Sequence, residues 1–112
     1  IASFDQHIHH VGKTIDCHDQ YVYKNLAYNF IHRKIEPMYV TVRPEDNKTL
    51  VPNSHDGQEF DYILSGTMHL VVGKNDIILN PGDSAYYDSR APHAMEAVGD
   101  EPVHFLAMVI PD

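Results

Sequence analysis

The stretch PNSHDGQEFDYILSGTMHL, residues 52–70, contains the pattern on which the fold prediction rests. His55 stands four residues before Glu59, and a strand-like run continues from there to Leu64. A turn at Ser65-Gly66 then leads into a second run over 67–72, which predicts a β-hairpin. A histidine and a carboxylate this close together are typical of a metal site, although a loop end with nothing bound has the same pattern.

The rest of the chain also predicts short strands separated by glycine- and proline-containing turns. In chain order the predicted strands are 38–42, 59–64, 67–72, 77–80, 84–89, 93–98 and 103–110. Strands at this spacing, without a long amphipathic helix, indicate an all-β sandwich or barrel. We therefore predict one β domain over residues 21–112, preceded by an N-terminal segment over residues 1–20 for which an edge strand, a swapped strand and a loose tail all remain open.

Length and composition predict a single globular domain, because the chain has 112 residues of which 43% are hydrophobic. Cys17 is the only cysteine, so no intramolecular disulfide can form, which is typical of a reducing compartment. No apolar run approaches the ~20 residues that span a bilayer. We expect a soluble, cytoplasmic protein without a membrane partner. Because the chain begins at Ile1, a longer parent protein remains open.

The charge balance argues against nucleic-acid binding. The chain carries 16 acidic and 8 basic side chains, a formal net charge of −8. Affinity for nucleic acid rests on Lys and Arg that neutralise phosphates, and an acidic surface repels the phosphate backbone. The sequence also lacks a recognisable helix-turn-helix, basic arm or glycine-rich phosphate loop, so we expect no nucleic-acid partner.

Two stretches of the sequence, HDGQEFDYILSG (55–66) and NPGDSAYYDSRAPHAM (80–95), resemble the cupin superfamily. The first cupin motif contains His-x-His, three or four residues, Glu, six residues and Gly. His55, Glu59 and Gly66 match the second histidine, the glutamate and the closing glycine of that motif. The resemblance implies a cupin jelly-roll barrel, also called a double-stranded β-helix.

The second cupin motif is matched at its first glycine, Gly82, and at its histidine, His93. The sequence departs from the two motifs at four positions. Asn53 replaces the first histidine of the first motif, and Asp88, Arg90 and Ala97 replace the Pro, Gly and Asn of the second.

The resemblance implies that His55, Glu59 and His93 bind one divalent transition metal at the barrel mouth. Two imidazoles and a carboxylate suit Fe, Mn, Ni, Co or Zn, and some mononuclear iron cupins use this ligand set. Asn53 is then a weak ligand or hydrogen-bonds a metal-bound water. The alternative is a degenerate cupin whose histidines and glutamate hydrogen-bond each other.

Five further side chains are predicted as candidates for the pocket: Asp61, Tyr86, Tyr87, Arg43 and Arg90. Asp61 has the same strand parity as Glu59 and is expected to point inward. The neighbouring tyrosines should point to opposite faces of their strand, and both fit plain strand packing as well. The arginines suit a substrate carboxylate, but surface salt bridges explain them equally well.

Other histidines carry weaker signals. DQHIHH (5–10) fits either a metal patch or a His-rich terminus, and the terminus is the simpler interpretation. DCHD (16–19) contains zinc-compatible ligands without a partner pair at structural-zinc spacing. We expect His69 and His104 to be structural.

Two function classes follow from the resemblance. The first is an enzyme, a metal-dependent oxygenase, isomerase or lyase of the cupin type that acts on a small polar organic molecule. The second is a ligand-binding sensor or a structural module without catalysis, because the two stretches resemble the cupin domains of bacterial transcription regulators. A homodimer is expected, as for many small cupins.

Overall fold

The computed structural model describes residues 13–17, 22–48 and 52–112, with the backbone alone for 13–17, 47 and 48. Within these residues the chain forms nine β-strands and a short 3-10 helix at Pro44–Lys48. The strands are β1 (Lys13–Cys17), β2 (Val22–Asn25), β3 (Glu36–Val42), β4 (Gln58–Ser65), β5 (Met68–Val72), β6 (Asn75–Leu79), β7 (Ser84–Asp88), β8 (His93–Ala97) and β9 (Val103–Ile110). No helix of the described residues is long and apolar enough to cross a membrane.

The strands form two antiparallel sheets, which confirms the all-β prediction. The larger sheet has the order β1-β2-β3-β9-β4-β7, and the smaller sheet has the order β6-β5-β8. β1 lies at one edge of the larger sheet, paired with β2. The predicted division between residues 1–20 and 21–112 stays a prediction. The histidine-rich segment 5–10 and the residues His18 and Asp19 lie outside the described residues.

The core lies between the two sheets and follows from side-chain alternation along the strands. On β4, Glu59, Asp61 and Ile63 are buried, whereas Gln58 and Tyr62 are exposed. The buried hydrophobic residues come from both sheets: Val40, Val42, Ile63, Val103, Phe105 and Ala107 from the larger sheet, and Met68, Leu70, Leu79, Met95 and Ala97 from the smaller one. Two of the three inward positions of β4 are therefore carboxylates within a face that is otherwise largely apolar.

The hairpin predicted over 59–72 is wrong. β4 pairs with β7 and β9, whereas β5 pairs with β6 and β8. The turn at Gly66 therefore takes the chain from the larger sheet to the smaller one. A tight turn of this kind has the same local sequence whether the next strand stays in its sheet or leaves it. The true hairpin of this region is β5–β6, joined by Gly73-Lys74.

Gly66 should be required for this crossover, and Gly73 provides a matched comparison. Both have positive φ, +80° and +59°, so alanine at either costs about 1–2 kcal/mol of backbone energy. At Gly66 a Cβ would also collide with the carbonyl oxygen of Pro102, whereas Gly73 has open space.

We expect Gly66→Ala to lower the free energy of unfolding by about 2 kcal/mol more than Gly73→Ala, measured by urea denaturation. Equal losses for the two variants would show that the contact with Pro102 is not a constraint on the fold.

Candidate metal centre

Backbone hydrogen bonds tie the segment before β4 to the segment that leads into β8. Asn53 and His93 form an isolated antiparallel bridge, with N–O distances of 2.7 and 2.8 Å. The His55 N–H donates to the Ser89 carbonyl at 2.9 Å, and the Ser89 N–H donates to the Gly57 carbonyl at 3.0 Å. These bonds fix the two histidines, which are far apart in sequence, on either side of the start of β4.

His55, Glu59 and His93 converge as the resemblance implied. The Nε2 atom of His55 lies 3.3 Å from Glu59 Oε1, and that of His93 lies 3.8 Å from the same oxygen. The two rings meet edge-on with centroids 5.1 Å apart. One ligand atom from each residue lies within 4.8 Å of the other two, so these residues, the three-ligand group, can hold a metal ion. Glu59 and His93 are buried, and His55 is half-buried.

The other ring nitrogen of each histidine faces a backbone carbonyl. His93 Nδ1 lies 2.9 Å from the Ala91 oxygen, and His55 Nδ1 lies 3.3 Å from the Asp56 oxygen. A carbonyl only accepts hydrogen bonds, so in the neutral rings the proton sits on Nδ1 and the lone pair on Nε2. The lone pairs of both histidines therefore belong to the nitrogen atoms nearest Glu59.

Behind Glu59, a tyrosine and a second carboxylate complete the buried polar network. The Tyr87 hydroxyl lies 2.8 Å from Glu59 Oε2 and 3.0 Å from Asp61 Oδ2. Glu59 thus has one oxygen beside Tyr87 and the other beside the histidines. Burial raises the pKa of Tyr87 and the negative charges of Asp61 and Glu59 raise it further, so the phenol stays protonated and donates.

Asp61 is fully buried, and its Oδ1 atom has no hydrogen-bond partner among the described residues. Burial raises the pKa of Asp61 well above its usual range, and the charge of Glu59 and a hydrogen bond with Glu59 add to this; the hydrogen bond with Tyr87 opposes it. Folding therefore favours the protonated form of the Asp61 carboxyl.

This assignment predicts how stability depends on pH in metal-free protein. A carboxyl whose pKa is raised by folding stabilises the protein most below its unfolded pKa of about 4, and that stabilisation is lost as pH rises through the folded pKa. Asp61→Asn keeps a similar shape but has no proton to lose. We expect the variant to lose less stability than the wild type between pH 5 and pH 8, measured by urea denaturation with a chelator.

Asp76→Asn, which removes an exposed carboxylate on β6, controls for the loss of one negative charge. An unchanged pH dependence in Asp61→Asn would show that Asp61 is ionised in the folded protein.

The hydroxyl of Tyr87 should also affect metal affinity, because it holds the glutamate oxygen that faces away from the histidines. We expect Tyr87→Phe to weaken metal binding about tenfold, the lower range for partners of ligating groups. Tyr86→Phe is the matched control, since that hydroxyl bonds Gln58 on the opposite face of the strand. Isothermal titration with Co(II) measures both, and equal affinities would rule out this role for Tyr87.

A cavity of about 590 Å³ opens beside the three-ligand group, between β8 and the larger sheet. Its lining residues are Tyr23, Glu36, Met38, Val40, Asn53, Ser54, His55, Asp56, Glu59, His93, Met95, Phe105, Ala107 and Val109. Asn53 lies beside His93 because directly opposed residues of an antiparallel bridge share a face. The sequence predictions missed the apolar wall and Glu36. Strand parity could have predicted Met95, because it lies two residues after His93 on the same strand and therefore faces the same side.

None of the five predicted pocket residues lines this cavity. Asp61 and Tyr87 lie in the polar network behind Glu59. Tyr86 is 61% exposed, because alternation on β7 turns Tyr87 inward and Tyr86 outward. Arg43 is exposed beyond the end of β3. Arg90 lies in the loop after β7, where its guanidinium pairs with Asp112 at 2.9 Å.

The two histidines expected to be structural make cross-strand pairs. His69 Nδ1 lies 2.9 Å from Glu96 Oε1, and His104 Nδ1 lies 3.0 Å from Thr41 Oγ1. Both pairs join residues directly opposite each other in a sheet.

Comparison with known proteins places these features in context. Residues 38–109 match a family model described as a cupin domain. An uncharacterized protein from Methanocaldococcus jannaschii is 28% identical over 68 residues, which are 61% of this chain and 54% of that protein. The hydroxypropylphosphonic acid epoxidase from S. wedmorenis has a TM-score of 0.80 at 24% identity, over 95% of this chain and 61% of that chain.

Two metal-containing structures are also similar. The Fe(II) form of HppE has a TM-score of 0.69 at 28% identity, over 81% of this chain and 50% of that chain. The Co(II) form of HppE in complex with substrate has a TM-score of 0.71 at 26% identity, over 89% of this chain and 57% of that chain. The predicted jelly-roll fold is thereby confirmed. The chain spans about half the length of its curated relative and about three fifths of the epoxidase chain.

Proposed function

Because the chain belongs to the cupin family, we propose that it binds one divalent transition metal through His55, Glu59 and His93 and takes a small organic ligand in the adjoining cavity. The observation that carries the proposal is the convergence of three electron pairs. Both Nε2 atoms and Glu59 Oε1 are acceptors when the histidines are neutral, and nothing among their contacts donates a proton between them. A bound cation would accept all three electron pairs and so remove the repulsion between them.

The alternative of an inert, hydrogen-bonded site requires a proton on Glu59 or on Nε2 of at least one histidine. Since Nδ1 faces a carbonyl in both rings, a proton on Nε2 either costs the hydrogen bond at Nδ1 or makes that ring an imidazolium. Glu59 and His93 are buried, where charged groups are costly unless well paired. Metal binding is favoured because it uses the lone pairs in the orientation that the backbone already fixes.

Bound there, a divalent metal would supply Lewis-acid or oxygen-activating chemistry, and three protein ligands leave positions open for water or substrate. The similarity to Fe(II) and Co(II) forms of HppE supports an ion of this kind. The residues of this chain orient the metal-facing oxygen of Glu59, through Tyr87, and present the open side to the cavity.

We propose an enzyme of the oxygenase, isomerase or lyase type, with a ligand-reading sensor as the second candidate. The same site serves both, so metal-dependent turnover of a bound compound separates them. Homodimerisation, a cytoplasmic location and the absence of nucleic-acid binding stay predictions.

The test is metal uptake by protein purified without added metal. We expect about one Co(II) or Fe(II) ion per chain, released by acid because imidazole must be deprotonated to bind. His55→Ala, Glu59→Gln and His93→Ala should each abolish most of the binding measured by titration calorimetry. His69→Ala and His104→Ala are matched controls, since both histidines pair elsewhere. Uptake that survives in the first three variants would disprove the site.

Asn53 should contribute much less than the three ligands. An amide oxygen is a poorer ligand for transition ions than imidazole, so Asn53→Ala should cost about tenfold or less in affinity. Asn53→His should tighten binding by adding an imidazole on the same side as His93. Equal losses for Asn53→Ala and His55→Ala would show that asparagine is a full ligand.

A further inference from the structure

We infer that the cavity takes an elongated apolar molecule with one anionic oxygen donor at the end that meets the metal. This inference rests on the proposed function and narrows its ligand class. The sequence resemblance suggested a small polar molecule; the walls of the cavity point to a largely apolar one.

The walls become apolar with distance from the three-ligand group. Strand register sets Glu36 and Glu59 in one cross-strand row with Val109 between them. The next row on the same face contains Met38, Ala107 and Asp61, and the row after it contains Val40, Phe105 and Ile63. Asp61 and Ile63 do not line the cavity, so its wall in these rows is formed by apolar side chains. Successive rows are about 7 Å apart, so the apolar wall extends about 13 Å from the row of Glu59.

On the opposite side of the cavity, the apolar lining residue beyond the histidines is Met95. Met95 follows His93 by two residues on β8, faces the same side and is buried. A ligand whose head lies at the histidines therefore has its body between Met95 and the methionine and valine of β3. Methionine is flexible and polarizable and adapts to ligands of varied shape.

The charges place the ligand's polar group at one end. A divalent ion with Glu59 and two neutral imidazoles leaves one net positive charge in a partly buried site, which an anionic oxygen donor would neutralise. Glu36, the carboxylate across the cavity, is already compensated: Arg33 Nη2 lies 2.8 Å from one of its oxygens, and Arg33 Nε and Asn25 Nδ2 lie 2.9 Å from the other. Glu36 therefore creates no demand for a cationic ligand.

Straight-chain monocarboxylates from acetate to octanoate provide the test, titrated into the full chain loaded with Co(II). We expect the Co(II) absorption bands to shift with each acid, because the carboxylate binds the metal. The dissociation constant should fall about fourfold for each added methylene until the cavity is filled. The matching n-alkylamines should bind much more weakly.

A matched pair of variants locates the apolar body. Met38→Gln replaces a wall residue by a polar side chain of similar length and should flatten the dependence on chain length. Met108→Gln makes the same change on the outer face of the larger sheet, next to Pro37 and Phe60, and should leave it unchanged. Unaltered Co(II) uptake in both variants verifies that they are folded.

The outcomes separate this inference from the proposed function. Normal Co(II) uptake with equal affinity for acetate and octanoate would overturn the inference and leave the metal site intact. Equal affinity of the acids for metal-free protein, or equal affinity of acids and amines for loaded protein, would overturn the assignment of an anionic head at the metal. Absence of Co(II) uptake would overturn the proposed function itself.

Discussion

Two neighbouring carboxyl groups on the inward face of β4 create the constraint around which the site is built. Alternation turns both Glu59 and Asp61 into the interior, where each ionised group loses hydration and repels the other. The structure meets this constraint in two ways. Burial raises the pKa of Asp61, which favours its protonated form, and the Tyr87 hydroxyl donates to one oxygen of Glu59. The other oxygen of Glu59 faces the Nε2 atoms of the two histidines, and a cation bound among these three atoms would neutralise its charge.

The positions of the two histidines depend on the backbone more than on side-chain packing. His55 belongs to a segment without regular structure, yet its N–H donates a hydrogen bond to the Ser89 carbonyl. The N–H of Ser89 in turn donates to the carbonyl of Gly57, two residues after His55. The Ser54 hydroxyl adds a 2.7 Å bond to the Arg90 carbonyl. Because main-chain groups make most of these bonds, the exposed side chains of the two loops can change without displacing the two histidines. The side chains of these two loops are therefore less constrained than the number of residues in each loop.

The resemblance to the cupin motifs predicted that His55, Glu59 and His93 come together, and parity predicted that Asp61 points inward and that one of the two adjacent tyrosines does. Both predictions use only the positions of residues along a short stretch of the chain. The parity prediction holds in the folded protein because the side chains of a strand alternate between its two faces. The hairpin after β4 was predicted wrongly because a turn does not reveal which sheet receives the next strand. Arg43 and Arg90 were misplaced because a long exposed side chain carries no parity signal.

The cavity was beyond prediction for a different reason. Parity identifies Met38 and Met95 as inward, but inward residues either fill a core or line an opening, depending on how far apart the sheets lie at that level. Near Val42 and Val103 the sheets are packed with buried side chains, whereas beside Glu36 and Val109 they enclose open volume. This difference arises from the sum of side-chain volumes across two sheets, which no single strand specifies.

Three carboxylates line the cavity, and one of them, Glu59, faces the two histidines. Asp56 is exposed to water, and Glu36 is held by Arg33 and Asn25, whose bonds, that of Arg33 most of all, lower its pKa. Glu36 and Glu59 lie two strands apart with Val109 between them, and Glu36 is not part of the three-ligand group. Had the arginine been absent, an ionised Glu36 would draw positive charge to the far wall and compete for the cation. Because Arg33 compensates Glu36, the proposed metal would bind only on the side where the two histidines lie.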